Sequence, residues 1–153
     1  MIGAAEIAGV KLMIAYRLHF EDANMTAVKL VRSGKLGDPR FFMSSFAMQV
    51  RPDNIRTDKE KGGGTLYDIG IYCINAARYL FGAEPTEVVA FSSASKKDER
   101  FKEIDEMTSA ILRFPDGRLA ELTSSFGAAD VASYRVVGTK GDVRLDQAYE
   151  YVY

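Results

Sequence analysis

The sequence predicts an α+β domain: a large, mostly antiparallel β-sheet with helices packed on one face. Three observations carry that expectation. Two helical patterns, over 20–33 and 65–81, precede a series of strand-like runs. Those runs are joined by the short turn signals PDG at 115–117 and TKG at 139–141, and strands joined by tight turns are antiparallel. Finally, Arg40–Val50 is apolar on both faces, with Phe42, Phe46 and Met48 pointing one way and Phe41, Met43 and Ala47 the other. A sheet covered on one side alone alternates more cleanly, so the second face is expected to be covered by another subunit or a further domain.

Taken in order, MIGAAEIA reads as the last turns of a helix stopped by Gly9, and Val10–Tyr16 as a first strand. Phe20, Ala23, Ala27, Leu30 and Val31 recur at helical spacing, with Gly34 as the residue that ends the helix. SGKLGDP turns the chain into the strand Arg40–Val50. RPDNIRTDKEKGGG, 51–64, is polar, glycine-ended and non-periodic, which predicts a mobile surface loop over 51–63. Thr65–Phe81 is the strongest helix, with Leu66, Ile69, Cys73, Ile74, Ala77 and Leu80 on one stripe and Gly82 closing it. Strands follow at Thr86–Ser95, Met107–Phe114, Arg118–Phe126, Val131–Gly138 and Asp142–Leu145, with the charged run KKDERFKEIDE read as a solvated loop.

Bulk composition narrows the function classes. At 153 residues the chain suits one domain, and its 47% apolar and 27% charged content is that of a folded globular protein. A net charge of −1 leaves no electrostatic footprint for nucleic acid or an anionic membrane. The single cysteine, Cys73, lies in an apolar helical pattern and fits a reducing, cytoplasmic setting. One histidine and no ligand-type spacing argue against a metal site. Both ends are abrupt, the start within a helix and the finish at YEYVY, so a fragment of a longer protein is expected.

The candidate chemistry centres on GGGTLYDIGIYCIN. Asp68 and Tyr72 are four residues apart, so a helix places them one turn apart on one side, continued by Asn75, Ala76 and Tyr79. A carboxylate can orient a phenol, and a phenol can exchange a proton or hydrogen bond with a substrate oxygen. The same residues also suit a purely structural role, because an acid is favoured near a helix start and a tyrosine packs well at a sheet. The glycines let a ligand or another backbone approach, and N–H groups at that helix start favour an anion or polar oxygen. Tyr16, Arg17 and His19 cluster polar heads just past the first predicted strand, where Arg17 could clamp an anion or pair with Glu21. No dinucleotide fingerprint, P-loop or nucleophile elbow is present.

GVKLMIAYRLHF, SGKLGDPRF, GGGTLYDIGIYCINAARYLFGAEPTEVVA and the later hairpins resemble the C-terminal half of the glucose–fructose oxidoreductase/inositol dehydrogenase (Gfo/Idh/MocA) family. The most specific block is GGGxLxDIGxY with its aliphatic helix and GxxP. The resemblance implies a glyceraldehyde-3-phosphate dehydrogenase-like C-terminal domain over 1–153 that binds substrate, with an N-terminal Rossmann domain holding NAD or NADP outside this chain. It implies an NAD(P)-dependent oxidoreductase of a sugar, polyol or dihydrodiol, the fragment alone being inactive, and a homo-oligomer built through the open sheet face. The family acid maps onto Asp68, and its acid/base position, often histidine, falls on Tyr72, as in glucose–fructose oxidoreductase-like and dihydrodiol/xylose dehydrogenase-like members. Tyr16, Arg17 and His19 match the block lining the same cleft. A non-catalytic binding or oligomerisation module is the alternative.

Overall fold

The computed structural model describes residues 1–14 and 16–149, the side chains of Arg17 and Leu18 excepted. Among them, six strands form one sheet in the order β2-β3-β4-β1-β5-β6: β1 Pro39–Ala47, β2 Glu87–Ser93, β3 Met107–Arg113, β4 Leu119–Ser125, β5 Val131–Gly138 and β6 Asp142–Asp146. Three helices accompany it, α1 Ile2–Ala8, α2 Asp22–Arg32 and α3 Ile71–Phe81. The α+β class expected from the sequence is what folds. Four of the strand pairings are antiparallel, and β1 lies parallel to β4 because a long crossover through α3, β2 and β3 separates them.

The local signals explain the elements. The Glu21 carboxylate accepts from the Ala23 and Asn24 amides at 3.1 and 3.2 Å, capping α2, while Asp22 in its first turn and Lys29 and Arg32 in its last suit the helix dipole. Gly82 closes α3 in the left-handed region at φ 62°. In the β3–β4 hairpin Asp116 and Gly117 both take positive φ, 64° and 76°, the conformation such a turn needs. Arg118 then ties that hairpin to the helix: its Nη1 donates to the Phe81 carbonyl at 2.8 Å and its guanidinium lies 5.0 Å from the Phe81 ring.

The core lies between the helices and one face of the sheet. Phe42 is fully buried, 5.6 Å from the Tyr134 ring and 6.5 Å from Phe81. Truncating such an aromatic to alanine costs about 3–5 kcal/mol. Ile69, Cys73, Ala76, Ala77 and Leu80 face it from the helix side. The opposite sheet face carries Phe41, Ile111, Leu119 and Val89, each at least 40% exposed.

Four expectations need correction. Residues 10–14 and 16 form no strand (Ala15 lies outside the described residues): among the described residues no strand pairs with this segment, and an extended run without a pairing partner makes no ladder. The buried stripe of α2 is Asn24, Ala27, Val28 and Val31, one position round from the predicted one, and Phe20 is 72% exposed. KKDERFKEIDE is not simply solvated: Phe101 and Ile104 enter the core, and Arg100 Nη1 donates to the Val50 carbonyl at 2.6 Å. Ala76, expected beside Asp68 and Tyr72 on the outer side, is buried. Of the closing YEYVY only Tyr149 lies within the described residues.

Candidate active site

The helix that carries Asp68 does not start as a regular α-helix. Leu66–Gly70 wind as a π-helical turn before α3, and such turns recur at functional sites. Gly70 allows this turn to sit on the sheet, since a Cβ there would lie 3.1 Å from Ser124 Oγ of β4. Asp68 is thereby held in the wide turn and Tyr72 in the first turn of α3.

Tyr72 is half-buried in a group of aromatic rings. Its ring centroid lies 5.9 Å from Phe46 and 6.2 Å from Tyr149, and 6.4 Å from Tyr16 in an edge-to-face arrangement. These contacts fix the ring plane. Among the described residues no hydrogen-bond partner takes its hydroxyl, and none links it to Asp68. The sequence placed the two one turn apart as a coupled pair; the structure brings Tyr16 to Tyr72 and gives Asp68 a different partner. Asp68 Oδ2 accepts from Arg56 Nε, in an ion pair whose side chains are 39% and 34% exposed.

Arg56 is the residue that sequence reasoning missed. It belongs to the segment read as a mobile loop, and that segment has definite structure. Ile55–Thr57 form a 3-10 turn capped by Asn54, whose Oδ1 accepts from the Arg56 amide at 3.0 Å. The amides of Gly62, Gly63 and Gly64 donate to the carbonyls of Lys59, Asp58 and Arg56. The glycine run thus serves a close backbone approach: a Cβ on Gly63 would lie 2.6 Å from the carbonyl oxygens of both Arg56 and Asp58. Asn54 as a turn-capping residue was the available signal.

His19 sits on a 3-10 turn, Arg17–Phe20, with its ring 4.2 Å from Tyr79 and 4.8 Å from Phe20. Burial, and then the nearby Arg32 charge, push its pKa below the ordinary 6.5, favouring neutral imidazole. The Arg17 side chain lies outside the described residues. Behind this group, Asn24 joins the helices to the sheet: its Oδ1 accepts from the Tyr134 hydroxyl at 3.0 Å and the Tyr79 hydroxyl at 3.5 Å, and its Nδ2 donates to the Ala148 carbonyl at 3.0 Å. Tyr149 shares a 2.8 Å hydrogen bond with Ser44, and desolvation raises its pKa well above that of a free phenol. Burial likewise lifts the Cys73 thiol to about 11.

The larger concavities lie elsewhere. The one of about 980 Å³ runs between 52–61 and 95–103, is lined by charged side chains of both signs, and holds none of the expected site residues. No cluster of metal-ligating side chains occurs among the described residues. Tyr16 and Tyr72 lie edge to face, and the Arg56–Asp68 pair precedes α3 by one turn.

This architecture and this helix have known counterparts. The profile of the GFO/IDH/MocA C-terminal domain matches residues 24–144. The chain belongs to that family. It is 33% identical over 156 residues to a D-xylose 1-dehydrogenase [NADP(+)] of Haloarcula marismortui, covering 97% of this chain and 43% of that protein. It is 29% identical over 145 residues to the trans-1,2-dihydrobenzene-1,2-diol dehydrogenase of Bos taurus, covering 95% of this chain and 42% of the relative. A crystal structure of aldose-aldose oxidoreductase from Caulobacter crescentus, complexed with glycerol, superposes with a TM-score of 0.93 at 42% identity, covering 99% of this chain and 46% of that one. The chain therefore spans less than half the length of these relatives.

Proposed function

We propose that this family member is the substrate domain of an NAD(P)-dependent oxidoreductase acting on a sugar, polyol or dihydrodiol, with Tyr72 as the proton-exchanging group. The observation that carries the reading is the Tyr72 hydroxyl, unpartnered among the described residues on a ring held by Tyr16, Phe46 and Tyr149. The dehydrogenase relatives support the reaction class.

The glycine run before the helix is no pyrophosphate cradle, since its amides donate to the carbonyls of Lys59, Asp58 and Arg56. A Rossmann domain of the parent protein is therefore assigned the dinucleotide, NAD or NADP, which supplies the hydride when bound. This chain supplies the proton and the grip. In the reducing direction the substrate carbonyl oxygen takes the Tyr72 Oη proton as its carbon is reduced, and solvent restores the phenol. Asp68, with Oδ2 taken by Arg56, offers Oδ1 to a substrate hydroxyl. Tyr16 borders the same space, and His19, held neutral, and Arg17 are assigned the substrate side.

Two surfaces remain to be covered. The N-terminal segment exposes Ile7 (92%), Met13 (84%) and Ile14 (71%), which suits packing against the dinucleotide domain. The open sheet face exposes Phe41, Ile111 and Leu119 beside Val89, which suits a second copy of the chain. A monomeric mass by light scattering at micromolar concentration argues against that oligomer.

The test of the assignment is Tyr72→Phe in the intact enzyme, which keeps the ring packing and removes the proton. A loss of about 10²–10⁴-fold in kcat is expected. Turnover within a few-fold of wild type excludes Tyr72 from proton transfer.

A further inference from the structure

We propose that Arg56 is a positioning residue of the substrate site, acting through Asp68 and anchored by the glycine run. The proposal rests on the reading of Asp68 as a substrate contact. Arg56 is held from two directions at once. Its guanidinium Nε donates to Asp68 Oδ2 near the start of the helix. Its carbonyl accepts from the Gly64 amide at 3.0 Å, immediately before that helix begins. The chain from Arg56 to Asp68 is therefore a ring closed by one backbone and one side-chain contact.

Every part of the ring has a residue that permits it. Asn54 caps the turn under Arg56, with its Oδ1 receiving the Arg56 amide at 3.0 Å and its carbonyl receiving the Thr57 hydroxyl at 2.8 Å. Gly63 alone fits against the Arg56 and Asp58 carbonyls, where a Cβ would lie 2.6 Å from each oxygen. Gly62 and Gly64 take φ of 80° and 126°, which residues with side chains rarely adopt. A segment built this way fixes the backbone of Arg56, and the planar guanidinium then fixes the carboxylate.

The consequence for the site is directional. An aspartate beside a substrate has two oxygens and free rotation about its side chain, so it can grip a hydroxyl in several poses. With Oδ2 committed to Arg56 Nε, Oδ1 becomes the acceptor with a set orientation. The pair is about two-thirds buried on each side, at 39% and 34% exposure, so it is less screened than a surface ion pair. Arg56 thus selects the pose in which a substrate hydroxyl meets Asp68, without itself handling the proton.

Kinetics of the intact enzyme and hydrogen exchange of the loop test this together. Arg56→Ala is expected to lower kcat/KM by about 10²-fold, the scale of a small misplacement of a substrate contact. Arg56→Lys, which keeps the charge but not the planar fork, is expected to recover part of it. Because Arg56 acts through Asp68, the double variant Arg56→Ala, Asp68→Asn should be no slower than Asp68→Asn alone. A merely structural arginine gives multiplicative losses instead, and that result overturns the proposal. So does an Arg56→Ala enzyme within twofold of wild type. Amide exchange over 56–64 is read in parallel: Arg56→Ala and Asp68→Asn should each release the same protection, and unchanged protection in both overturns the staple. If the wild-type protein turns over no sugar, polyol or dihydrodiol, the proposed function fails, and the exchange arm still decides whether Arg56 and Asp68 form one unit.

Discussion

Asn24 offers the sharpest test of how the helix layer is attached to the sheet. It is 1% exposed, and Asn24→Leu replaces its amide with a side chain of similar shape that makes no hydrogen bond. Two buried groups then lose a partner, and the half-buried Tyr79 hydroxyl loses its 3.5 Å contact. The Tyr134 hydroxyl donated to Asn24 Oδ1 at 3.0 Å, and the Ala148 carbonyl accepted from Nδ2 at 3.0 Å. Leaving a buried polar group unpaired costs about 1–3 kcal/mol, and the near-isosteric leucine opens no large cavity to add to it, so two such groups give an expected loss of about 2–6 kcal/mol. That is a large share of a domain stability of about 5–15 kcal/mol. With a urea slope of about 2 kcal/mol/M the midpoint should fall by about 1–3 M. The Tyr134→Phe partner isolates the cause. If the Tyr134 hydroxyl is what Asn24→Leu orphans, removing it first makes the second change cheaper, and the double variant should fall short of additivity by about 1–2 kcal/mol. Additivity within about 0.5 kcal/mol, or a single-variant loss below that figure, refutes the reasoning.

Two further outcomes follow from shifted titrations. Cys73 is fully buried with its thiol raised to about 11, so it should resist thiol reagents at neutral pH in the folded chain and react at once in denaturant; rapid labelling of the folded chain contradicts the burial. His19 is the sole histidine, its pKa lowered by burial and by Arg32, with the Phe20 and Tyr79 rings against it. The unfolded chain therefore binds its proton first, and the His19 contribution to stability, present above about pH 6.5, is lost as pH falls through the folded value. A single imidazole NMR titration should show a midpoint below 6.5, and one above it reverses the sign.

What the sequence made legible was local. Gly34 and Gly82 mark helix ends, PDG and TKG mark hairpins, and the 65–81 stripe marks the helix that faces the core. Each of these is decided by a few neighbouring residues. Apart from the locally capped 51–64 segment, the main misses depend on distant partners. Val10, Leu12 and Ile14 alternate as a strand would, yet a strand exists only where another strand pairs with it, and none among the described residues pairs with this segment. Asn24 lies off the predicted apolar stripe of its helix, and it is Tyr134 and Ala148, 110 and 124 residues away, that satisfy it in the core. Phe101 and Ile104 hide in a charged run because Arg100 and its neighbours carry the polar side of a short buried turn.

The candidate site divides along the same line. Asp68 and Tyr72 were legible as two positions of one helix, but not what each would touch. Tyr72 is oriented by rings from three other parts of the chain: Tyr16 before α2, Phe46 on β1 and Tyr149 after β6. Its ring belongs to the packing while its hydroxyl has no partner among the described residues, so a structural role and the proposed one are compatible. The core sets where the oxygen sits, and a phenol whose ring cannot rotate freely presents that oxygen in a narrow range of positions. Asp68 is fixed by different means, through an arginine on a loop closed by three glycines. The two groups are therefore positioned through different contacts, and on the proposed function a substrate held by Asp68 would be shifted relative to the Tyr72 oxygen by changes in the 51–64 segment. Sequence variation confined to that segment is expected to alter which hydroxyl is presented to Tyr72 while leaving the core and its stability in place.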